Sequence, residues 1–329
     1  MKTYDLVGIG NAVVDVISQT DDAFLKAMGI EKGIMQLIQQ EGAEVLYRVM
    51  KERVQTPGGA VANTVAGVGA LGLTTAFIGR VAEDALGTFY ASAMQDNGID
   101  FVNPPVVDGD EPTSRSMIFV TPDGERSMNT YLGISTGLTS VDVPQKVSGN
   151  TNLMFLEGYL FDHDAGKTAF REAARATNYG GGMAGIAISD PFCVERHRSD
   201  FLSLIKNDLG YVIGNEAEMK SLFETDDIEV ALSKTADICP LVACTRSGNG
   251  VSLIQEGERV DVPVTPVTPV DATGAGDQFA AGFLYGICTG ADLETCGRMG
   301  NLCAGEVIGH IGPRPKIKMM DVFQAQGLV

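Results

Sequence analysis

The chain has 329 residues, 44% hydrophobic and 20% charged, with 40 Gly and 13 Pro. That is a globular composition, long enough for one large α/β domain or two smaller ones, and it excludes a disordered or fibrous chain. A formal net charge of −18 argues against a general nucleic-acid binder, which needs surplus Lys and Arg, and against attraction to an anionic membrane surface.

Asp5 and Asp15 interrupt the first apolar stretches, so no secretory leader is read there. No run of about 18 apolar residues suggests a membrane span. Six cysteines (Cys193, Cys239, Cys244, Cys288, Cys296 and Cys303) are scattered without a CxxC pair, and read as reduced core thiols of a cytoplasmic protein. His163, His197 and His310 lack metal-ligand spacing.

Residues 6–9 open the chain as a short buried strand. Residues 12–17 and 33–38 also look like strands, but outside a strand–helix rhythm. Helical spacing over 61–70 leads into a strand at 73–78 and a helix at 86–96. Ser114–Val120 and Arg126–Tyr131 flank Thr121-Pro122-Asp123-Gly124, a turn signal that predicts a hairpin. Strands at 153–156, 186–188, 211–213 and 241–244 then alternate with helices at 165–177, 198–206 and 216–223. The alternation predicts right-handed βαβ units and a mostly parallel sheet. The pieces that break it predict a small antiparallel sheet, a candidate lid. The whole chain, 1–329, reads as one domain, with the lid drawn from about 12–56 and 100–135. Residues 262–270 (VPVTPVTPV) read as an extended approach to the small-residue turn at 271–276.

Several apparent motifs fail on context. Gly67, Gly69 and Gly72 fit GxGxxG, but a helix precedes and a strand comes after, the reverse of a dinucleotide site. Gly8-Ile9-Gly10 ends a strand but has Val13 at the third position, which leaves an NAD-dependent oxidoreductase as a distant alternative. Gly166-Lys167-Thr168 lacks the first glycine of a P-loop. Gly133-Ile134-Ser135-Thr136-Gly137 fits a nucleophile elbow without the helix that should succeed it.

The strongest signal spans 269–283. A turn of small residues, Asp271-Ala272-Thr273-Gly274-Ala275-Gly276, runs into a helix from about 275 to 287. Unpaired amides and the positive end of the dipole make such a helix start a site for an anionic phosphoryl group without side-chain charge. Asp277, in the first turn, is ill suited to hold an anion but well suited to take a proton from a hydroxyl. Its bland reading is a carboxylate that steadies a helix end. Gly58-Gly59 leads into a second helix bearing Asn63, whose amide can donate and accept. Asp15 offers an acceptor to sugar hydroxyls.

The segment Asp271–Phe283 resembles the C-terminal signature of the ribokinase-like (PfkB) family of sugar and nucleoside kinases. Gly58 to Thr64 resembles its N-terminal glycine motif, and Asn215-Glu216-Ala217-Glu218 its Asn-x-x-Glu motif. Thr245 to Gly250 resembles its nucleotide stretch, and Gly10 to Asp15 its opening substrate segment. The resemblance implies a three-layer α/β/α fold with a mostly parallel central sheet and a small β-sheet lid. It implies ATP and Mg²⁺ as cofactors. Asp277 would be the catalytic base, and the amides of Ala275, Gly276 and Asp277, with Gly274, would form the anion hole. Asp15, Gly58, Gly59 and Asn63 would hold the acceptor. Asn215 and Glu218 would organise the phosphates and Mg²⁺, the latter through water. Thr245, Gly248 and Gly250 would line the ATP site, with Asn301 and Ala304 beside the adenine. Asp271 and Thr273 match positions that hold a monovalent cation in several members, and whether K⁺ binds here is left open. Lid edges in the family pair into homodimers, and the oligomeric state too is left open.

Residues 33–38 resemble lid sequence of the adenosine-kinase-like branch, while 122–130 resemble sequence found both in that branch and in bacterial sugar kinases; together they lean toward a nucleoside acceptor phosphorylated on a hydroxymethyl group. A sugar of ribose, fructose or 2-keto-3-deoxygluconate type is the alternative. A nucleoside base should stack on aromatics, for which Tyr159, Phe161 and Phe192 are candidates, though each is more often a core residue. Arg115 and Arg126 could reach a phosphate or substrate oxygen or remain on the solvated surface.

Overall fold

The computed structural model describes residues 2–329. Strand β1 (Tyr4–Ile9) leads to β2 (Val13–Gln19), α1 (Asp22–Met28), β3 (Met35–Leu37), α2 (Gln40–Val49) and β4 (Val54–Gly58). Then come α3 (Ala60–Ala70), β5 (Thr75–Ile78), α4 (Ala85–Asp96), β6 (Asp100–Phe101), and the hairpin of β7 (Ser114–Val120) and β8 (Arg126–Tyr131). Next is an alternating series: α5 (Gln145–Ser148), β9 (Thr151–Glu157), α6 (Asp164–Tyr179), β10 (Met183–Ala187), α7 (Pro191–Asp208) and β11 (Tyr211–Asn215). It continues through α8 (Glu216–Leu222), α9 (Ile228–Ala236) and β12 (Leu241–Thr245). The pair β13 (Val251–Gln255) and β14 (Glu258–Val262) and helices α10 (Ala275–Thr289), α11 (Leu293–Ile308) and α12 (Met319–Ala325) close the chain.

The main sheet has nine strands in the order β14-β13-β12-β11-β10-β9-β1-β5-β6. It is parallel from β6 to β12, and β13 and β14 add an antiparallel edge. Its strands are apolar on both faces because both faces are covered. Leu6 of β1 packs in the core with Val65 of α3 and Phe283 of α10, while Val7 and Ile9 pack with Phe170 of α6 and Phe201 of α7. This three-layer arrangement is the α/β/α fold expected. The chain leaves β1 toward β5 on one side and β9 on the other. The carboxyl ends of β1 and β9 therefore border a crevice, the usual place for a ligand in an open α/β sheet.

The second sheet has the order β3-β8-β7-β2-β4. It is mixed rather than antiparallel throughout: β2 runs parallel to β7, and β3 to β8. The hairpin β7–β8 is antiparallel, as expected; β4, not picked out in the sequence, adds antiparallel to β2 at the edge. The parallel pairs join strands far apart in sequence, which local turn chemistry does not reveal. Residues 100–101, expected in the lid, instead pair with β5 in the main sheet.

Helices α1 and α2 cover one face of the small sheet, where Phe24 meets Phe119 with ring centroids 5.3 Å apart. Register places Asp15 beside Ser116, and Ser116 beside Thr130, so these three stand on the opposite face. All six cysteines are free, and burial pushes the Cys193 and Cys303 thiols up to about 12, which leaves them unreactive core residues. Among the described residues no helix is long and apolar enough to cross a membrane.

Candidate active site

Helix α10 starts at Gly274, whose φ of 80° is left-handed. A Cβ there would stand 2.6 Å from Pro313 Cα, so the turn needs glycine for both reasons. The Ala275 amide donates back to the Ala272 carbonyl at 3.2 Å, which corrects its expected place in an anion hole. The amides of Gly276 and Asp277 have no acceptor among the described residues, so they remain the free donors of this helix start.

Asp277 lines the cleft beside Gly276. Its Oδ2 accepts a hydrogen bond from Asn63 Nδ2 at 3.0 Å, and Oδ1 is left without a donor among the described residues. Burial raises this carboxyl to about 7, with Asp15 pushing the same way and Asn63 and Arg314 opposing. A carboxylate poised there can exchange a proton with a hydroxyl at neutral pH.

Asp15 reaches the same region from β2. Burial raises it to about 6, against the pull of Arg126 and Arg314. Gly58 ends β4, with its carbonyl accepting from the Tyr90 hydroxyl at 3.2 Å. Gly59 has φ 102°, and a Cβ there would lie 2.3 Å from the Asn11 carbonyl. Asn63 is buried, and its Oδ1 accepts from Arg314 Nε at 3.2 Å. Its amide is thus already engaged at both ends, with one N–H to spare.

Three residues of this site were not singled out as site residues in the sequence. Glu157, at the end of β9, accepts from Asn11 Nδ2 at 2.9 Å and from the Asn11 amide at 3.0 Å. Burial raises it to about 7, opposed by Asn11 and aided by Asp277. Asn11 Oδ1 in turn accepts from Ser135 Oγ at 2.8 Å, so that serine is a buried strut and no nucleophile. Arg314 lies beyond α11 and donates Nη2 to the Pro57 carbonyl at 2.9 Å. A charge ending an apolar strand, as Glu157 does after 153–156, was the one signal present. Arg314 had none.

A cavity of 160 Å³ runs from Asp277 and Gly276 to Asn215, Glu218 and Thr245. Asn215 caps α8 reciprocally with Glu218: Asn215 Oδ1 accepts from the Glu218 amide at 2.9 Å, and Glu218 Oε2 accepts from the Asn215 amide at 2.9 Å, with Oε1 also accepting from Asn215 Nδ2 at 2.6 Å. Burial, with Asp190 nearby, lifts Glu218 to about 7. A buried carboxylate beside a second acid suits a divalent cation, which would restore its charge, so the donor set fits Mg²⁺. Thr245 pairs with Asn215 across β11 and β12. Gly248 lies in the turn after β12, and Gly250 packs on the Val262 carbonyl. Asn301 donates to the carbonyls of Val262 and Pro263 at 3.1 and 3.2 Å. It also borders a groove of 420 Å³ with Val267 and Leu302. Ala304 lies one turn further along α11.

Asp271 and Thr273 do not fit a monovalent cation. Asp271 Oδ2 accepts from Arg126 Nη1 at 2.6 Å and from the Gly312 amide at 3.0 Å, while Oδ1 accepts from the Thr273 amide at 2.9 Å. A guanidinium already satisfies the charge that K⁺ would meet. Arg126 is therefore buried, not solvated, and its Nε and Nη2 have no partner among the described residues. Arg115 does not reach the site; its guanidinium lies 5.4 Å from the Tyr47 ring on the helix-covered face. Phe161 stacks on Phe201 in the core at 4.1 Å, and Phe192 is exposed on α7. Of the three aromatics only Tyr159 borders the cleft, on the Asn215 side.

Residues 31–319 match the model of the pfkB family of carbohydrate kinases, and the chain belongs to that family. It resembles the crystal structure of an adenosine kinase from Sinorhizobium meliloti, at 44% identity and TM-score 0.90 over 98% of this chain and 99% of that one. A probable sugar kinase from Rhizobium etli is as similar, at 42% identity and TM-score 0.91 with full coverage of both chains. An uncharacterized sugar kinase of Archaeoglobus fulgidus is 28% identical over 75% of this chain and 96% of its own. The chain is therefore a phosphotransferase acting on hydroxyl groups of the sugar or nucleoside class, with ATP as the family's donor.

Proposed function

We propose that the acceptor is a ribonucleoside of the adenosine type, phosphorylated on its hydroxymethyl group. The observation that carries this is the free face of the small sheet. Met35 and Leu37 stand beside Met128 and Thr130 on the face that bears Asp15, and are 46% and 57% exposed. A flat base covers such an apolar surface, whereas a bare sugar has nothing to lay on it. The likeness to the Sinorhizobium enzyme points the same way. A sugar acceptor is the second reading, favoured by the polar Asn11–Glu157 pair beside Asp277.

In this reading Asp15 and Gly59 hold the ribose end, and Asp277 Oδ1 takes the hydroxyl proton while Asn63 steadies Oδ2. The amides of Gly276 and Asp277 receive the charge that builds on the transferring phosphoryl group. Mg²⁺, when bound, neutralises phosphate charge; Glu218 and Asn215 would hold it through water. Thr245, Gly248 and Gly250 line the nucleotide path, and Asn301 anchors its far wall. Arg126 offers Nε and Nη2 to an acceptor or phosphate oxygen. The small sheet acts as a lid, with Gly58-Gly59 as its hinge, and excludes water that would hydrolyse ATP. Its edge strands β3 and β4, with exposed Leu37 and Val54, are the surface for a homodimer.

The test is ATP consumption against a panel of nucleosides and sugars. Turnover on adenosine or a related nucleoside well above any sugar supports the proposal; preference for a free sugar overturns it in favour of the second reading.

A further inference from the structure

We propose that Arg314 is a positioning residue, which fixes the orientation of the Asn63 carboxamide and so keeps Asp277 in its charged, proton-accepting form. This rests on the reading of Asp277 as the base. A guanidinium can only donate. The Asn63 atom 3.2 Å from Arg314 Nε must therefore be the carbonyl oxygen. The other end of the amide, 3.0 Å from Asp277 Oδ2, is then the NH₂ group. An N–H facing a carboxylate favours its ionised form. A flipped amide would set oxygen against oxygen, and that contact is relieved only by a proton on Asp277.

The remaining groups around Asp277 push the other way. Asp15 on β2 and Glu157 on β9 add negative charge, and the Tyr159 phenol borders the same cleft. Among the described residues Arg314 is the cation that opposes them, since Arg126 is paired with Asp271. Removing Arg314 would therefore free the amide to turn and deepen the negative surroundings at once.

The backbone that carries Arg314 is held independently of its side chain. The segment reads Gly312-Pro313-Arg314-Pro315. The Gly312 amide donates to Asp271 Oδ2 at 3.0 Å, and the Pro313 carbonyl accepts from Gln278 Nε2 at 3.1 Å. Pro313 also packs against Gly274. A side-chain change at 314 should leave the loop in place. Nη2 on the Pro57 carbonyl, two residues before Gly59, ties the same guanidinium to β4. The position of the proposed hinge and the state of the base thus share one side chain.

The experiment compares wild type with Arg314→Met and Arg314→Lys, using the best acceptor from the panel. In Arg314→Met we expect kcat to fall about tenfold or more at pH 7 but less than about threefold at pH 9, with the KM for ATP unchanged. Arg314→Lys, which retains a charged donor, should recover to within about threefold of wild type. A loss equal at every pH, or no loss, overturns the proposal. A second arm needs no turnover: thermal melting of the free protein from pH 5 to pH 8.5. Arg314→Met should lose more stability than wild type as pH rises through neutrality. With Asp277→Asn present, the pH dependence of the difference between Arg314 and Met should shrink to the part below about pH 6 that Asp15, also facing Arg314, carries. If the dependence around pH 7 is as large as with Asp277 in place, Arg314 does not act on Asp277. Wild type inert toward every acceptor would count against the kinase assignment of the site, and the melting arm would still judge Arg314.

Discussion

Arg126 Nη1 lies 2.6 Å from Asp271 Oδ2, with the two side chains 6% and 5% exposed. A strand of the small sheet is thereby bonded to the turn that sets up α10. Breaking a buried pair from one side strands the other charge, at about 3–5 kcal/mol. Arg126→Met should lower the unfolding free energy by that order in urea titration, and Arg126→Met with Asp271→Asn should recover part of it. A single-variant loss under about 1 kcal/mol would show that the pair is not formed in solution.

The same pair has a consequence for ion dependence. Asp271 already receives a guanidinium and two backbone amides. Turnover should therefore change less than about twofold when K⁺ is replaced by Na⁺ or tetramethylammonium at constant ionic strength. A tenfold stimulation by K⁺ would mean that Arg126 leaves Asp271 in the working enzyme.

The cleft acids fix how stability varies with pH. Asp277, Glu157 and Glu218 are each raised to about 7 by burial, from ordinary values near 4. A raised carboxyl binds its proton more tightly when folded. Its contribution is complete below the unfolded value and is lost as pH climbs through about 7. The melting temperature of the free protein should therefore drop between about pH 4 and pH 8 in the share these acids control. Glu157→Gln should flatten that slope. An unchanged slope would show that the Glu157 carboxyl is not buried as described.

Gly59, before α3, lies against the Asn11 carbonyl in the turn after β1, with no room there for a Cβ. Gly59→Ala must move that carbonyl or leave the left-handed region, so acceptor KM should rise or kcat fall by about tenfold or more, with little change in ATP affinity. Unchanged KM and kcat would argue against a hinge at this position.

Much of this architecture could be read from local pattern. The parallel strands show as apolar runs because both faces are buried, and the β7–β8 hairpin shows because Pro122-Asp123-Gly124 makes a turn. Asp277 and Asn63 were visible through the glycines near them, and Asp15 as an acid set among apolar residues after the first strand. The parallel pairing of β2 with β7 was not, because register between distant segments leaves no local trace. Nor were β13, β14 and α11 picked out ahead of the structure. Arg126 was read as a surface or ligand-facing residue because charge alone does not reveal a buried partner 145 positions away. Arg314 was missed for the same reason: its partners, Asn63 and Pro57, lie at the other end of the chain.

The decisive measurement is single-turnover phosphoryl transfer by Asp277→Asn, with ATP binding measured by calorimetry on the same sample. If the free Oδ1 takes the acceptor proton, transfer should slow by at least about 10³ while ATP affinity stays within about threefold. Near-normal transfer in that variant would contradict the assignment of the base, and the mechanism built on it.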